Sequence, residues 1–335
     1  MLYRRTFRSG REEHKREDVP TLMELSRKSF LRTVYNQTKG TDTEEELKSK
    51  IENIMGWAAS VSVPDTSTQD VLEEIRFFQE RDRIAEQYPA FKEYVRQDTQ
   101  NWPGTAQERH SKLAELEEMF GYVSKQIPKM GSLKTLELYD QKIGDAGMQA
   151  LSAVIGNGAF PDLEELELSG NQIGYAGVSA LANACASGAL GKLVFLRLDR
   201  NQISDAGMTV LADAIRSGSM ANLERLELVR NQISDAGMTA LADAIPHMAS
   251  LKNLSLGDNQ IGDSGMTAFA GAIGASGAMG SLEYLFLNNN NIGDVGMIAF
   301  SAAIRSGALR ALDNLYLYPN PGDGGPAMRA FRRRC

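Results

Sequence analysis

The chain has 335 residues, 42% of them hydrophobic, and a formal net charge of -7. That length accommodates two or so domains, or a repeat array with an appendage, and the negative balance argues against a protein built mainly to bind nucleic acid or an anionic membrane. Only two cysteines occur, Cys185 and Cys335, so a disulfide framework is excluded and a reducing, cytoplasmic setting is expected.

Residues 1–18 carry Arg4, Arg5, Arg8, Arg11, Lys15 and Arg16 without the apolar core of a secretory signal. They read as a basic, disordered tail. Organelle targeting is the alternative, although Glu12, Glu13, Glu17 and Asp18 interrupt the acid-poor character of transit peptides. No later apolar run approaches the ~20 residues of a membrane-spanning helix.

Residues 19–104 read as an α-helical region. Leu22, Leu25, Phe30 and Val34 form an apolar stripe, and the stretch Val19 to Phe30 resembles the elongin-binding box of ubiquitin-ligase substrate receptors, with Ser26 in place of the cysteine of that box. An ordinary amphipathic helix accounts for the same residues. Thr43 and Glu46 form a capping box before Leu47, Ile51, Ile54, Met55 and Ala58, which share one helical face. A third helix over 69–88 carries Val71, Leu72, Ile75 and Phe78, and Pro89 starts a short helix with Phe91 and Tyr94. After the turn Asn101-Trp102-Pro103-Gly104, Thr105 and Glu108 cap a helix over 105–130. Its stripe of Leu113, Leu116, Phe120, Val123 and Ile127 has heptad spacing, and it is expected to cover the exposed end of the repeats that follow.

From residue 131 onward the sequence repeats. Leu133, Leu163, Leu193, Leu223, Leu251, Leu282 and Leu312 each open a Leu-x-x-Leu-x-Leu unit, about thirty residues apart. The alternation predicts a short strand buried on one face. Asn171, Asn201, Asn231, Asn259, Asn290 and Asn320 follow each strand from the second unit on, where an amide can both donate to and accept from the backbone of the bend. Helical spacing comes next, as in Met208, Leu211, Ala212 and Ile215. Asp205 and its equivalents Asp145, Asp235, Asp263 and Asp294 stand where each helix expects its own N-cap, and the glycine two residues on is expected to let helix approach strand layer.

This pattern resembles a leucine-rich repeat. The unit length, with a full helix per unit, resembles the ribonuclease-inhibitor-like class, which includes repeat regions of nucleotide-sensing innate immune receptors and of the Ran GTPase-activating protein. The resemblance covers residues 133–333. It implies an α/β fold: a curved leucine-rich-repeat solenoid of about seven strand–helix units, parallel strands on the concave face, with an α-helical N-terminal extension. The repeat domain is expected over 131–335. Its C-terminal cap starts at about residue 312, where Pro321 and Gly322 break the motif and Pro326 begins a last helix with Met328 and Phe331 inward.

No catalytic constellation is present in the sequence. His14, His110 and His247 lie in unrelated segments without metal-ligand spacing, and Cys185 takes the helical position of Ile215 and Ile245, as a buried apolar substitute. No Gly-x-x-x-x-Gly-Lys-Ser/Thr loop occurs. Neither cofactor nor metal is expected. The informative positions are the non-repeating ones on the strands, which hold an acidic patch in the first two units, arginines in the middle and aromatics near the end. Tyr139, Arg197, Arg200, Arg225, Arg230, Tyr284, Phe286, Tyr316 and Tyr318 are the candidate partner-binding residues, since exposed tyrosine and arginine combine apolar area with polar handles. The expected function is a non-enzymatic scaffold binding a protein or peptide on the concave face, as a monomer rather than a homo-oligomer. The alternative is a regulator of an enzyme: a GTPase-activating protein of the Ran type, or a ubiquitin-ligase substrate adaptor.

Overall fold

The structure, a computed structural model, describes residues 31, 34–36, 43, 45–51, 68–97, 102, 104–124 and 132–332. The basic tail, the elongin-like box, Ile127 and Cys335 lie outside them. The chain divides into two compact units, Met1–Ile84 with Asn101–Ser111, and Ala85–Gln100 with Lys112–Cys335.

The first unit has its own apolar cluster, built from Leu31, Val34, Tyr35, Leu47, Ile51, Val71, Leu72 and Ile75, with Phe78 against it. Val34, Leu47, Ile51, Val71, Leu72, Ile75 and Phe78 belong to the stripes expected from helical spacing, and Leu31 and Tyr35 join them; Ile54, Met55 and Ala58 lie outside the described residues. Helix α1, Thr68–Gln87, brings Asp82 to the Tyr35 hydroxyl, which donates to its carboxylate at 2.6 Å. The Thr105 capping box is fully formed: the Glu108 amide donates to Thr105 Oγ1 at 3.2 Å, and Glu108 Oε2 accepts from the Thr105 amide at 2.7 Å. Arg109 is buried, paired with Glu74 and stacked over Phe77. Burial of a charge is tolerable only with such a partner.

In the second unit, α2 (Lys92–Gln97) and the later turns of α3 (Ala106–Ser124) precede the repeats. Phe91 stacks on Phe120 with ring centroids 4.2 Å apart, and the Tyr94 hydroxyl donates to the Ala146 carbonyl at 3.1 Å. Leu113, Leu116, Phe120 and Val123 are all buried.

Seven strands form one sheet in chain order, every neighbouring pair parallel: β1 Thr135–Glu137, β2 Glu165–Glu167, β3 Phe195–Arg197, β4 Arg225–Glu227, β5 Asn253–Ser255, β6 Tyr284–Phe286 and β7 Asn314–Tyr316. A helix follows each strand: α4 Gly144–Gly156, α5 Tyr175–Ala186, α6 Asp205–Arg216, α7 Asp235–Ala244, α8 Asp263–Ser276, α9 Asp294–Arg305 and α10 Gly325–Arg332. The middle leucine of every strand, the leucine two residues on, and the Ile, Met and Leu or Phe of the helix form one continuous core between the layers. In α10 the inward residues are Ala327 and Ala330, not the expected Met328 and Phe331, which are half-buried on its flanks.

The asparagine column ties the units together. Asn201 Oδ1 accepts from the Ile173 amide at 3.0 Å, while its Nδ2 donates to Leu168 of the preceding unit at 2.9 Å and to Leu198 of its own at 3.0 Å. Asn171, Asn231, Asn259, Asn290 and Asn320 repeat this pattern. Amides and carbonyls at the bend, shut away from water, thereby find partners.

The aspartate column departs from expectation. Asp205, Asp235, Asp263 and Asp294 are the first residues of their helices and Asp145 is the second of its own; none makes a capping bond within its helix, and the carboxylates serve the next unit instead. Asp205 accepts from the Ser234 amide at 2.7 Å and the Gly237 amide at 2.9 Å; Asp145 serves Gly174 and Gly177, Asp235 serves Gly262 and Gly265, and Asp263 serves Gly296. The geometry is that of a cap supplied from the neighbouring turn, with the negative charge at the positive end of the helix. The glycine column makes room on two sides, for the isoleucine of its own unit and, where an aspartate precedes it, for the carboxylate of the neighbouring one. A Cβ on Gly237 would stand 2.6 Å from Asp205 Oδ1 and 3.2 Å from Met208 Cβ.

One link in this chain is missing. Tyr175 stands where the second unit should hold its aspartate, and among the described residues no carboxylate reaches the Ser204 or Gly207 amide at the start of α6. Gly207 is correspondingly less crowded, its nearest contact being Ile203 Cγ2 of its own unit at 3.1 Å from an added Cβ. Replacing Tyr175 by Asp should therefore stabilise the protein by about 1 kcal/mol, the usual worth of a helix cap, seen as a raised denaturant midpoint at unchanged slope. Conversely, Asn231→Ala leaves the Ile203 amide buried without its partner and should cost about 2–3 kcal/mol in the same unfolding experiment.

Candidate functional site

The side of the sheet turned away from the helices presents three rows, fixed by parallel register. The first runs Thr135, Glu165, Phe195, Arg225, Asn253, Tyr284, Asn314; the second runs Glu137, Glu167, Arg197, Glu227, Ser255, Phe286, Tyr316. The third, just past the strands, is Tyr139, Ser169, Asp199, Val229, Gly257, Asn288 and Tyr318. Register is rigid here because a one-residue slip would turn Leu166 and its equivalents out of the core.

The nine candidate residues fall in three places. Tyr139, Arg197 and Arg200 line a hollow of about 500 Å3 together with Thr135, Glu137, Glu165, Glu167, Ser169, Phe195 and Asp199. Arg225 and Arg230 belong to the fourth unit. Tyr284, Phe286, Tyr316 and Tyr318 belong to the last two, where Phe286 and Tyr316 stack with centroids 4.5 Å apart and planes 6° from parallel. Tyr139 precedes Tyr284 by five strands in the sheet, or ~24 Å at the usual strand spacing. The structure thus unites the aromatics with one another but leaves Tyr139 with the hollow.

The arginines in the middle of the face have different surroundings. Arg197 Nε lies 2.9 Å from carboxylate oxygens of both Asp199 and Glu227, and its Nη1 lies 3.1 Å from Glu167. One guanidinium is held by three carboxylates. Partial burial alone would lower the Arg197 pKa, but the surrounding Asp199, Glu167 and Glu227 outweigh it and the net shift is upward. Asp199 is itself buried, and its Oδ1 accepts from the Val229 amide at 2.7 Å, so it serves the fold. Arg225 is exposed and its guanidinium lies 5.9 Å from the centre of the Phe195 ring, within cation–π reach. Arg230 has Asp258 at 3.9 Å, the far limit of an ion pair.

Arg200 and Arg230 share an unusual backbone. Their φ angles are 52° and 57°, the left-handed region that side-chain-bearing residues seldom occupy, and the equivalents Asp140, Asp258 and Asn289 have it too. Asparagine and aspartate tolerate this conformation better than arginine. The two arginines therefore occupy turn positions at a conformational cost, with both side chains exposed to solvent.

The sequence did not reveal the Glu167–Arg197–Glu227 grouping, because these residues lie about thirty positions apart. Aligning the units and reading across them brings all three into one row, and that was the available signal. Cys185 is fully buried, and burial pushes its thiol up to about 12, consistent with an inert core residue. Among the described residues no helix is long and apolar enough to cross a membrane.

A family model described as Leucine Rich repeat matches residues 161–182, 192–212, 219–242, 247–270 and 281–301. Among solved structures, an internalin (inlF) from Listeria monocytogenes is 18% identical, with 74% of this chain and 94% of that one covered and a TM-score of 0.23. A TDR receptor is 15% identical, covering 60% and 45%, with a TM-score of 0.26. A TLR13–ssRNA13 complex is 14% identical, covering 58% and 34%, with a TM-score of 0.23. A search of curated proteins returns no match. Identities this low transfer neither partner nor activity. The repeats are leucine-rich repeats, the fold is an α/β leucine-rich-repeat solenoid with a helical N-terminal region, and such repeats are typically scaffolds for protein–protein interaction.

The Arg197 grouping gives a pH-dependent expectation. Burial raises the Glu227 carboxyl pKa above its ordinary value; Arg197 pulls it back, and the nearby Asp199 and Glu167 push it up again. A carboxylate with a raised folded-state pKa destabilises the fold when ionised, and that penalty vanishes once pH falls below its unfolded value, where both states hold the proton. Glu227→Gln should therefore unfold at a higher temperature than the parent at neutral pH, with the difference shrinking to nothing below the ordinary carboxylate range. Thermal unfolding across a pH series measures it.

Proposed function

We propose that this protein is a non-enzymatic scaffold that binds a protein or peptide across the strand face of its repeats. The observation that carries this reading is the exposed aromatic group on β6, β7 and the turn beyond: Tyr284, Tyr316 and Tyr318 are exposed, the last to 88%. Scattered exposed apolar residues need no explanation, but a cluster on one face, with two rings stacked in parallel, is the composition of a binding hot spot. Tyrosine adds a hydrogen-bonding hydroxyl to a large apolar ring at low entropic cost. Arg200, Arg225 and Arg230 extend the surface toward the centre.

The unit length and the full helix in each unit support placing the repeats in the ribonuclease-inhibitor-like class. The helix predicted over 105–130 is read as the cap of the array; an added Cβ on Gly147 of the first repeat would stand 3.8 Å from Leu116 Cδ2, which supports that role. The enzyme-regulator alternative draws its adaptor form from the Val19–Phe30 box, which lies outside the described residues, so the plain scaffold is the reading carried forward.

Affinity purification from the native source, repeated with Tyr284→Ala combined with Tyr316→Ala, tests it. The double variant should lose at least tenfold in affinity for a recovered partner, as truncation of two hot-spot aromatics usually costs more than about 1 kcal/mol each, while its thermal unfolding stays close to the parent. Undiminished binding by the double variant would sink the reading.

A further inference from the structure

The hollow over β1, β2 and β3 has an unbalanced charge. Four carboxylates line it, Glu137, Glu165, Glu167 and Asp199, against two guanidiniums, Arg197 and Arg200. Arg197 is already committed to Glu167 and Asp199, and also to Glu227 at the neighbouring position of the same row. It contributes one positive charge among three negative ones.

Glu137 and Glu165 sit at the other side of the hollow, and both are exposed. Among the described residues Glu137 has no ion-pair partner, and Glu165 receives a hydrogen bond only from the Thr135 hydroxyl, at 3.2 Å. Aromatic rings stand beside them. Tyr139 is half exposed at 49%, and Phe195 already has a guanidinium of this chain, that of Arg225, over its ring at 5.9 Å. The volume of about 500 Å3 lies within the roughly 300–1,000 Å3 of functional pockets. Carboxylates that can pair with a cation, next to ring faces that can carry its aliphatic stem, make a seat for a long basic side chain.

We propose that this hollow receives a lysine or arginine side chain from an extended segment of the partner, with Glu137 and Glu165 pairing its charge and Tyr139 covering its stem. The proposal rests on the strand-face reading and sharpens it: the partner is basic where it meets the first two units, and is met by neutral aromatic and amide groups at the last two. An acidic partner segment is excluded from the hollow by the same charges, a repulsive element that adds specificity.

The test uses the full chain and two fluorescein-labelled nonapeptides, one repeating Gly-Ser-Arg and the other repeating Gly-Ser-Glu, with binding read by fluorescence anisotropy. The arginine peptide should bind and the glutamate peptide should not. Glu137→Gln with Glu165→Gln should weaken the arginine peptide at least tenfold and flatten its salt dependence. A control with the same charge change on the exposed Asp243 and Asp313, which line no part of the hollow, should bind like the parent. Equal binding of both peptides, equal loss in the control, or full binding by the Glu137/Glu165 variant each overturns the proposal. None of these touches the strand-face reading, which stands or falls with the Tyr284/Tyr316 variant against native partners.

Discussion

No unit of this array can satisfy its own backbone. The bend leaving each strand and the first turn of each helix present amides that water cannot reach, and in nearly every case the acceptor belongs to an adjacent unit. Asparagine carries the bend: its oxygen takes the amide of the unit before, and its nitrogen reaches back to a leucine carbonyl of that same unit. Aspartate carries the helix start in the other direction, from one unit to the amides of the next. An orphaned buried amide costs about 1–3 kcal/mol, so each contact makes two neighbours thermodynamically dependent on each other. Nearest-neighbour coupling of this kind is what gives repeat arrays their cooperativity.

The constraint separates two classes of residue. Those that satisfy or pack the neighbour recur with little variation: Asn for its paired donor and acceptor, Asp for its reach in every unit from Asp145 to Asp294 but that of Tyr175, and Gly because the isoleucine of its unit and, where present, the preceding unit's carboxylate crowd the space a Cβ would need. Those on the strand face meet no such demand and vary from unit to unit. The variation is ordered across the sheet, from carboxylates over β1 and β2, through the Glu167–Arg197–Glu227 grouping, to neutral rings over β6 and β7. A face graded this way offers different chemistry at its two ends.

Much of the fold was legible in the sequence because its signals are local or periodic. The leucine spacing set the strands, Thr105 and Glu108 sit within one turn of each other and form the cap they suggest, and the heptad stripe of Leu113, Leu116, Phe120 and Val123 is buried as its spacing implies. The aspartate column misled for a physical reason. At the start of a helix, a carboxylate that caps its own amides and one that caps its neighbour's look alike in a single unit, and only the stacking distance decides which amides are in reach. The same limitation hid the state of Arg197: two of its three carboxylate partners, Glu167 and Glu227, come from the units on either side. The aromatic group needed no such correction, because Phe286 and Tyr316 share one row of adjacent strands and stack by register alone.

Tyr175 provides a comparison within the molecule itself, being the one position from Asp145 to Asp294 where the aspartate column is broken. Amide hydrogen exchange on the unmodified protein reads the consequence directly, since exchange from a helix's first turn reports whether its amides have acceptors. Dependence of each unit on its neighbour predicts slow exchange at Gly237 and Gly265, which the carboxylates of Asp205 and Asp235 hold, and markedly faster exchange at the equivalent Gly207. Equal protection at all three would contradict it.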